Sequence, residues 1–202
     1  KARYLRPMLR GDEVWCQLFS EPDAGSDLAN ISTRAVRDGD EWVVSGQKVW
    51  TSGADESDWG ILLARTDPDV PKHKGITYFL VDMRSPGFDV RPLKQMTGSE
   101  HFSEVFIDEV RIPHENVLGE VNGGWACTLT TLANERGLIA GANRSSDSMA
   151  LIELARKRGR SDDPLLRQAL VDCWIRQQIQ RYHGFRLQTA LSKGIPPGPE
   201  TS

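Results

Sequence analysis

The 202-residue sequence has only three cysteines, Cys16, Cys127 and Cys173, far apart and with no C-x-x-C pair. An odd, scattered set excludes a disulfide framework and a cysteine zinc site, and suits a reducing interior. A basic excess is missing too: 25 Lys+Arg stand against 28 Asp+Glu, a net charge of −3. Nothing there neutralises phosphates, so nucleic acid is not an expected partner. Long apolar runs are absent. The longest, 59–64 and 78–81, are far too short to span a bilayer, so no stable membrane insertion is expected. The opening Lys1-Ala2-Arg3-Tyr4-Leu5 has neither an initiating Met nor a signal-peptide apolar core, and a cytoplasmic location is expected. His73, His101, His114 and His183 do not cluster and share no metal-ligand spacing, so no metal site is expected.

What remains is an ordinary globular composition, 39% hydrophobic and 26% charged. Before Gly123 the chain alternates short runs rich in Val, Ile, Trp, Phe and Thr with turns such as Asp38-Gly39-Asp40 and Ser85-Pro86-Gly87. These predict strands over 31–37, 41–45, 47–51, 59–66, 77–82, 88–93 and 104–112. Consecutive strands without intervening helices predict an antiparallel barrel or sandwich, not a Rossmann sheet. After Gly123-Gly124 the period becomes helical, with helices expected over 125–141, 146–158 and 165–191. Ser161-Asp162-Asp163-Pro164 supplies an N-cap with Pro in the first turn for the last of these. The fold class is therefore α+β: an antiparallel β-barrel or sandwich domain followed by part of an α-helical bundle. Too few helices follow to close that bundle, and a fragment of a larger chain is expected. Expected divisions are 1–10 as the end of an N-terminal helical region, 11–122 as a middle β-domain, and 123–202 as an incomplete C-terminal helical domain.

Three stretches carry chemistry. In Gln17-Leu18-Phe19-Ser20-Glu21-Pro22-Asp23-Ala24-Gly25-Ser26-Asp27 a strand-like entry meets a loop of small residues whose backbone a ligand can approach closely. A tight Ser/Asp-capped turn explains the same residues. The loop contains no Gly-Lys-Ser/Thr and no G-x-G-x-x-G, so it is not a phosphate loop of those kinds. In Gln47-Lys48-Val49-Trp50-Thr51-Ser52-Gly53 a Trp followed by two hydroxyls would make a flat wall with donors beside it, suited to a planar heteroaromatic ligand. A core Trp at a strand end is the alternative. In the first C-terminal helix, Glu135 lies three residues after Leu132 and four before Ile139, and Arg136 also borders that stripe. A carboxylate there is either half of an ion pair or a general base with a raised pKa.

Together these motifs resemble the acyl-CoA dehydrogenase family. Ser20-Glu21-Pro22-x-Ala24-Gly25-Ser26-Asp27 is similar to its flavin loop, and Gly46-x-Lys48-x-Trp50-x-Ser52 to its second flavin segment. Val110-Arg111-Ile112-Pro113-x-Glu115-Asn116-Val117-Leu118-Gly119 resembles the close of its middle β-domain. The resemblance implies FAD as cofactor. It places Gln17, Leu18, Ser20, Gly25, Ser26, Trp50, Thr51, Ser52 and Arg158 around the flavin, with Ser20 at its pyrimidine end, Trp50 against the isoalloxazine and Ser52 facing N5. It implies Ser26, Asn134 and Arg136 as substrate-binding residues.

The reaction so implied is α,β-dehydrogenation of an acyl-CoA thioester, with electrons passed to an electron-transferring flavoprotein and a homo- or hetero-oligomeric assembly. Most members place the catalytic Glu late in the C-terminal domain, beyond Ser202. A minority place it in the first C-terminal helix, and Glu135 in Leu132-Ala133-Asn134-Glu135-Arg136 matches that position. One departure stands out. Where the family shows Arg followed by Phe-Gly, this chain reads Arg158-Gly159-Arg160-Ser161-Asp162. Two alternatives share the fold: a flavin monooxygenase or oxidase, and a non-catalytic partner subunit that binds acyl-CoA.

Overall fold

The computed structural model describes residues 2–142 and 148–195. The chain divides into two compact units, Lys1–Thr131 and Leu132–Ser202.

The first unit opens with helix α1 (Ala2–Arg10) and continues through seven strands: β1 (Trp15–Leu18), β2 (Arg34–Asp38), β3 (Glu41–Ser52), β4 (Trp59–Arg65), β5 (Ile76–Asp82), β6 (Phe88–Leu93) and β7 (Phe102–Pro113). All seven belong to one sheet in the order β1-β4-β2-β3-β7-β6, with β5 on β4. The expected antiparallel architecture holds for β2–β3, β3–β7, β4–β5 and β6–β7. The sheet is nevertheless mixed. β1 runs parallel to β4, pairing Trp15 with Trp59 and Leu18 with Leu62, and β2 meets β4 in parallel at Arg34 and Arg65. The core sits on the inward face: Leu18, Val44, Leu62, Phe79, Val105, Val110 and Ile112 are buried there.

Two strands read separately in the sequence, 41–45 and 47–51, are one twelve-residue strand, β3. Gly46 does not break it; a close contact does the selecting there. A Cβ on Gly46 would lie 2.5 Å from Thr33 Oγ1 and 2.7 Å from Thr33 Cα, and Thr33 is fully buried. Gly46→Ala is expected to cost about 1–3 kcal/mol, the usual penalty for overpacking. A urea midpoint equal to the wild type's would refute the close contact.

Helix α2 (Gly124–Ala142) enters from the sheet. Gly124 lies against the backbone of Thr77 and Tyr78, where a Cβ would come within 2.7 Å of both. In the second unit, α3 (Ser148–Lys157) and α4 (Pro164–Ser192) pack through Ser148 and Gln177. The start expected for α3, 146–147, lies outside the described residues. The predicted cap of α4 forms: the Asp163 carboxylate accepts from Leu165 N at 3.0 Å and Leu166 N at 3.3 Å, and Pro164 occupies the first turn. α3 ends at Gly159, whose φ of 63° lets Arg160 N donate to Ala155 O and Gly159 N to Arg156 O. The glycine that departs from the family pattern is thus a helix stop, with Arg158 exposed beside it. α4 leaves Val171, Trp174, Ile175, Ile179 and Phe185 largely exposed, as expected of a partial bundle. Among the described residues, no helix is long and apolar enough to cross a membrane.

Candidate active site

β3 changes face partway along. From its start as far as Lys48, Trp42, Val44 and Lys48 point inward with the period of two that a strand imposes. The same alternation would send Trp50 into the core. Instead a β-bulge lies between Lys48 and Thr51, where three steps on β3 oppose two on β7. Trp50 takes a φ of 60°, rare for a bulky residue. The extra residue reverses the strand, so Thr51 is buried and Trp50 turns outward, 61% exposed, its ring edge-on to Phe102 at 6.1 Å. A bulge that re-aims a side chain at a site is a recognised use of this irregularity. The core-Trp alternative is excluded by this geometry.

The Ser20 loop lies against the same stretch. Val49 N donates to Ser20 O at 2.9 Å, one residue from Trp50. Deeper in, Lys48 Nζ donates to Phe19 O at 3.0 Å and to Glu21 Oε1 at 2.8 Å. Lys48 is wholly buried and Glu21 nearly so. Glu21 also accepts from Thr33 N at 3.0 Å and from Ser32 N and Oγ at 2.6 and 2.8 Å. Burial alone would raise the Glu21 carboxyl, but the Lys48 charge and these donors outweigh it and hold the carboxyl at about 2. Burial pulls the Lys48 ammonium down to about 8, with the carboxylate limiting the fall.

Because its carboxyl sits below the ordinary value of 4.5, Glu21 contributes stability that is fully present above about pH 4.5. That contribution drains away as the pH falls toward about 2. A urea midpoint followed over this range is expected to drop, and to drop less in Glu21→Gln; a flat profile in the wild type would refute the pair.

Three of the residues expected at the flavin therefore come together: half-buried Ser20, exposed Trp50 and exposed Ser52. Gly25 and Ser26 are exposed just after the turn that reciprocal bonds between Glu21 and Ala24 close around Pro22 and Asp23. Gly25 has an ordinary φ, and a Cβ there would meet nothing within 4 Å. This chain's own packing therefore does not demand glycine at 25, whereas a ligand approaching the backbone would. Gln17 is half-buried on β1. Leu18 and Thr51 face the interior, Leu18 in the hydrophobic core and Thr51 opposite Ser103, so only their backbones are available to a ligand.

Asn134, Glu135 and Arg158 belong to the second unit, and all three are exposed. The helical stripe had put Glu135 on a buried border. Glu135 is exposed instead; on that stripe Leu129 is also half exposed, whereas Trp125 and Leu132 are half-buried. The Arg136 side chain lies outside those described. Cys16 is not a nucleophile: burial pushes its thiol up to about 11. Among the described residues, no three His, Cys, Asp or Glu side chains gather as a metal site would require.

The inward lysine and its glutamate were missed as partners in the sequence. The signal was available: a period of two through Trp42 and Val44 lands on Lys48, and a lysine on a core face needs an anion.

Residues 16–110 match the model of the acyl-CoA dehydrogenase middle domain. The chain is 59% identical over 138 residues to acyl-CoA dehydrogenase FadE34 of Mycobacterium tuberculosis, spanning 68% of this chain and 19% of that protein. It is 43% identical over 182 residues to acyl-CoA dehydrogenase IpdE1 of the same organism, spanning 89% of this chain and 47% of that one. Its structure is similar to that of the steroid ACAD Tcur3481-Tcur3483, with a TM-score of 0.89 and 35% identity, covering 99% of this chain and 52% of that one. The chain thus spans about half of IpdE1 and of the steroid ACAD chain, and a fifth of FadE34.

Proposed function

The chain belongs to the acyl-CoA dehydrogenase family, and on that basis we propose that its protein carries out FAD-dependent α,β-dehydrogenation of an acyl-CoA thioester. One observation carries the reading: the bulge in β3 aims an exposed indole outward, two residues before exposed Ser52 and one after Val49, whose N–H holds the Ser20 carbonyl. A planar, polar-edged ring system suits that wall, and the open backbone at Gly25 suits the diphosphate tail of the same cofactor. The residues present therefore fit a flavin. Ser20, Trp50 and Ser52 would hold its ring system, and Gly25 and Ser26 would approach the diphosphate; Gln17, Leu18 and Thr51 would contribute through β1 and β3, and Arg158 would reach the flavin of a neighbouring subunit. When bound, the flavin supplies a two-electron acceptor for the hydrogen that leaves the β-carbon.

The chain's own part is proton chemistry and positioning. Glu135 takes the α-proton as the Cα–H bond breaks and its electron pair becomes the new double bond. An α-proton of a thioester is weakly acidic, so the base must be aligned and the carbonyl polarised. Asn134 and Arg136, its chain neighbours, are assigned to the substrate, with the guanidinium steadying negative charge there. The two electrons then leave to an electron-transferring flavoprotein, in a homo- or hetero-oligomer.

The test is a visible spectrum of the full-length protein, followed by anaerobic addition of acyl-CoAs, including bulky ring-bearing thioesters of the kind a steroid ACAD suggests. A yellow band bleached by one class of thioester supports dehydrogenation and identifies the substrate class. A band that no thioester bleaches, with rapid oxygen use once reduced, overturns it in favour of an oxidase or monooxygenase. No flavin at all leaves a partner subunit that binds acyl-CoA.

Trp50→Ala is expected to leave the melting temperature almost unchanged, because the ring is exposed. Flavin affinity should fall about tenfold, the equivalent of one aromatic stacking contact. Unchanged affinity on flavin titration would remove Trp50 from the site.

A further inference from the structure

We propose that Lys48 and Glu21 are positioning residues for the flavin, fastening the Ser20 loop to β3 in a single register so that the Ser20 and Ser52 hydroxyls and the Trp50 ring address one planar ligand. This inference rests on the flavin reading above. Neither side chain reaches the exposed wall: Lys48 is fully buried, and Glu21 is 5% exposed. Their reach is through neighbours. Lys48 holds the carbonyl of Phe19, and the adjacent Ser20 carbonyl is held by Val49 N, so the loop is bonded at two successive residues. On β3 the same two residues, Lys48 and Val49, lead directly into the bulge that turns Trp50 outward. Glu21 extends the fastening to a third segment through Ser32 and Thr33. Thr33 in turn is the residue that Gly46 leaves room for.

An apolar pair would fill this space without directional bonds, and buried ion pairs are often replaceable by apolar residues at little cost in stability. An apolar contact can slide; Lys48 has one bond to the loop backbone and one to the Glu21 carboxylate, and these specify one placement. The Ser20 hydroxyl, carried on the tethered loop, takes its position from them. The charges are thus assigned to geometry at the site rather than to the strength of the fold.

The test uses the full-length protein. In the double variant Glu21→Gln/Lys48→Met the unfolding transition should remain cooperative, flavin should bind at least tenfold more weakly, and the bound flavin's absorption band should shift. Glu21→Gln alone keeps the tie from Lys48 to the Phe19 carbonyl and should recover most of the affinity. A folded double variant with wild-type affinity and band overturns the proposal; so does equal loss in the single and double variants. Should the double variant fail to fold, hydrogen exchange in the flavin-free wild type decides. The Val49 amide, bonded to Ser20 O, is then expected to exchange as slowly as core strand amides, and fast exchange there overturns the proposal. Absence of a flavin band from the wild type is a separate result, counting against the functional reading itself.

Discussion

Glu135→Gln in the full-length protein is expected to lower acyl-CoA turnover by about 10²–10⁴-fold, the range a positioned general base contributes, with the flavin band undiminished. Glutamine keeps the shape of the side chain and its hydrogen-bonding reach but cannot take up the α-proton. Substrate binding does not depend on that proton transfer, so kcat should fall and KM should hold. Stability should barely respond. Glu135 is exposed on α2, and substitutions at exposed positions usually fall within about 0.5 kcal/mol. That pattern separates the two readings of this glutamate, since a structural ion pair would give the reverse, a lower melting temperature with turnover intact. Full turnover in the variant would place the base on another carboxylate, as most members of the family do.

The second large effect is on stability. Lys48→Met alone should cost about 3–5 kcal/mol, the penalty for stranding one charge of a buried pair. Glu21 would keep its three donors from Ser32 and Thr33 but lose the cation that offsets its burial. Since whole domains are stable by only about 5–15 kcal/mol, much of the unit's margin would go. The loss should shrink as the pH falls, because without Lys48 the Glu21 carboxyl moves up and takes a proton readily. A urea midpoint close to the wild type's at neutral pH would show that the pair is not the buried contact described here.

Most of the architecture was legible because most of it is local. The helical period located α2, and the Asp163-Pro164 cap located the start of α4. The hairpins β2–β3 and β4–β5 follow from short apolar runs flanking turns. What was hidden depends on distant pairing. β1 is four residues long, and nothing in its sequence announces that it lies parallel to β4. Leu18 was assigned to the ligand because its loop carries a motif, yet its pairing with Leu62 turns it into the core. The site shows the same division. Ser20, Trp50 and Ser52 could be named from motifs, but the outward turn of Trp50 comes from a mismatch between β3 and β7, which neither strand reveals alone. The Lys48–Glu21 pair was half legible: alternation gives the inward lysine, and only the fold supplies its partner.

The parallel pairing of β1 with β4 also sets an order in time. The β2–β3 hairpin closes over only Gly39 and Asp40, within microseconds. β1 has no partner until Trp59–Arg65 exists, and joining it closes a far longer loop, which is the slower class of event. The Ser20 loop is bonded to β3 through Lys48 and Val49, but it begins where β1 ends, so its entry from β1 is fixed only after that closure. On a growing chain the proposed flavin wall, which draws on β1, β3 and the loop between them, is therefore complete only once that long loop has closed.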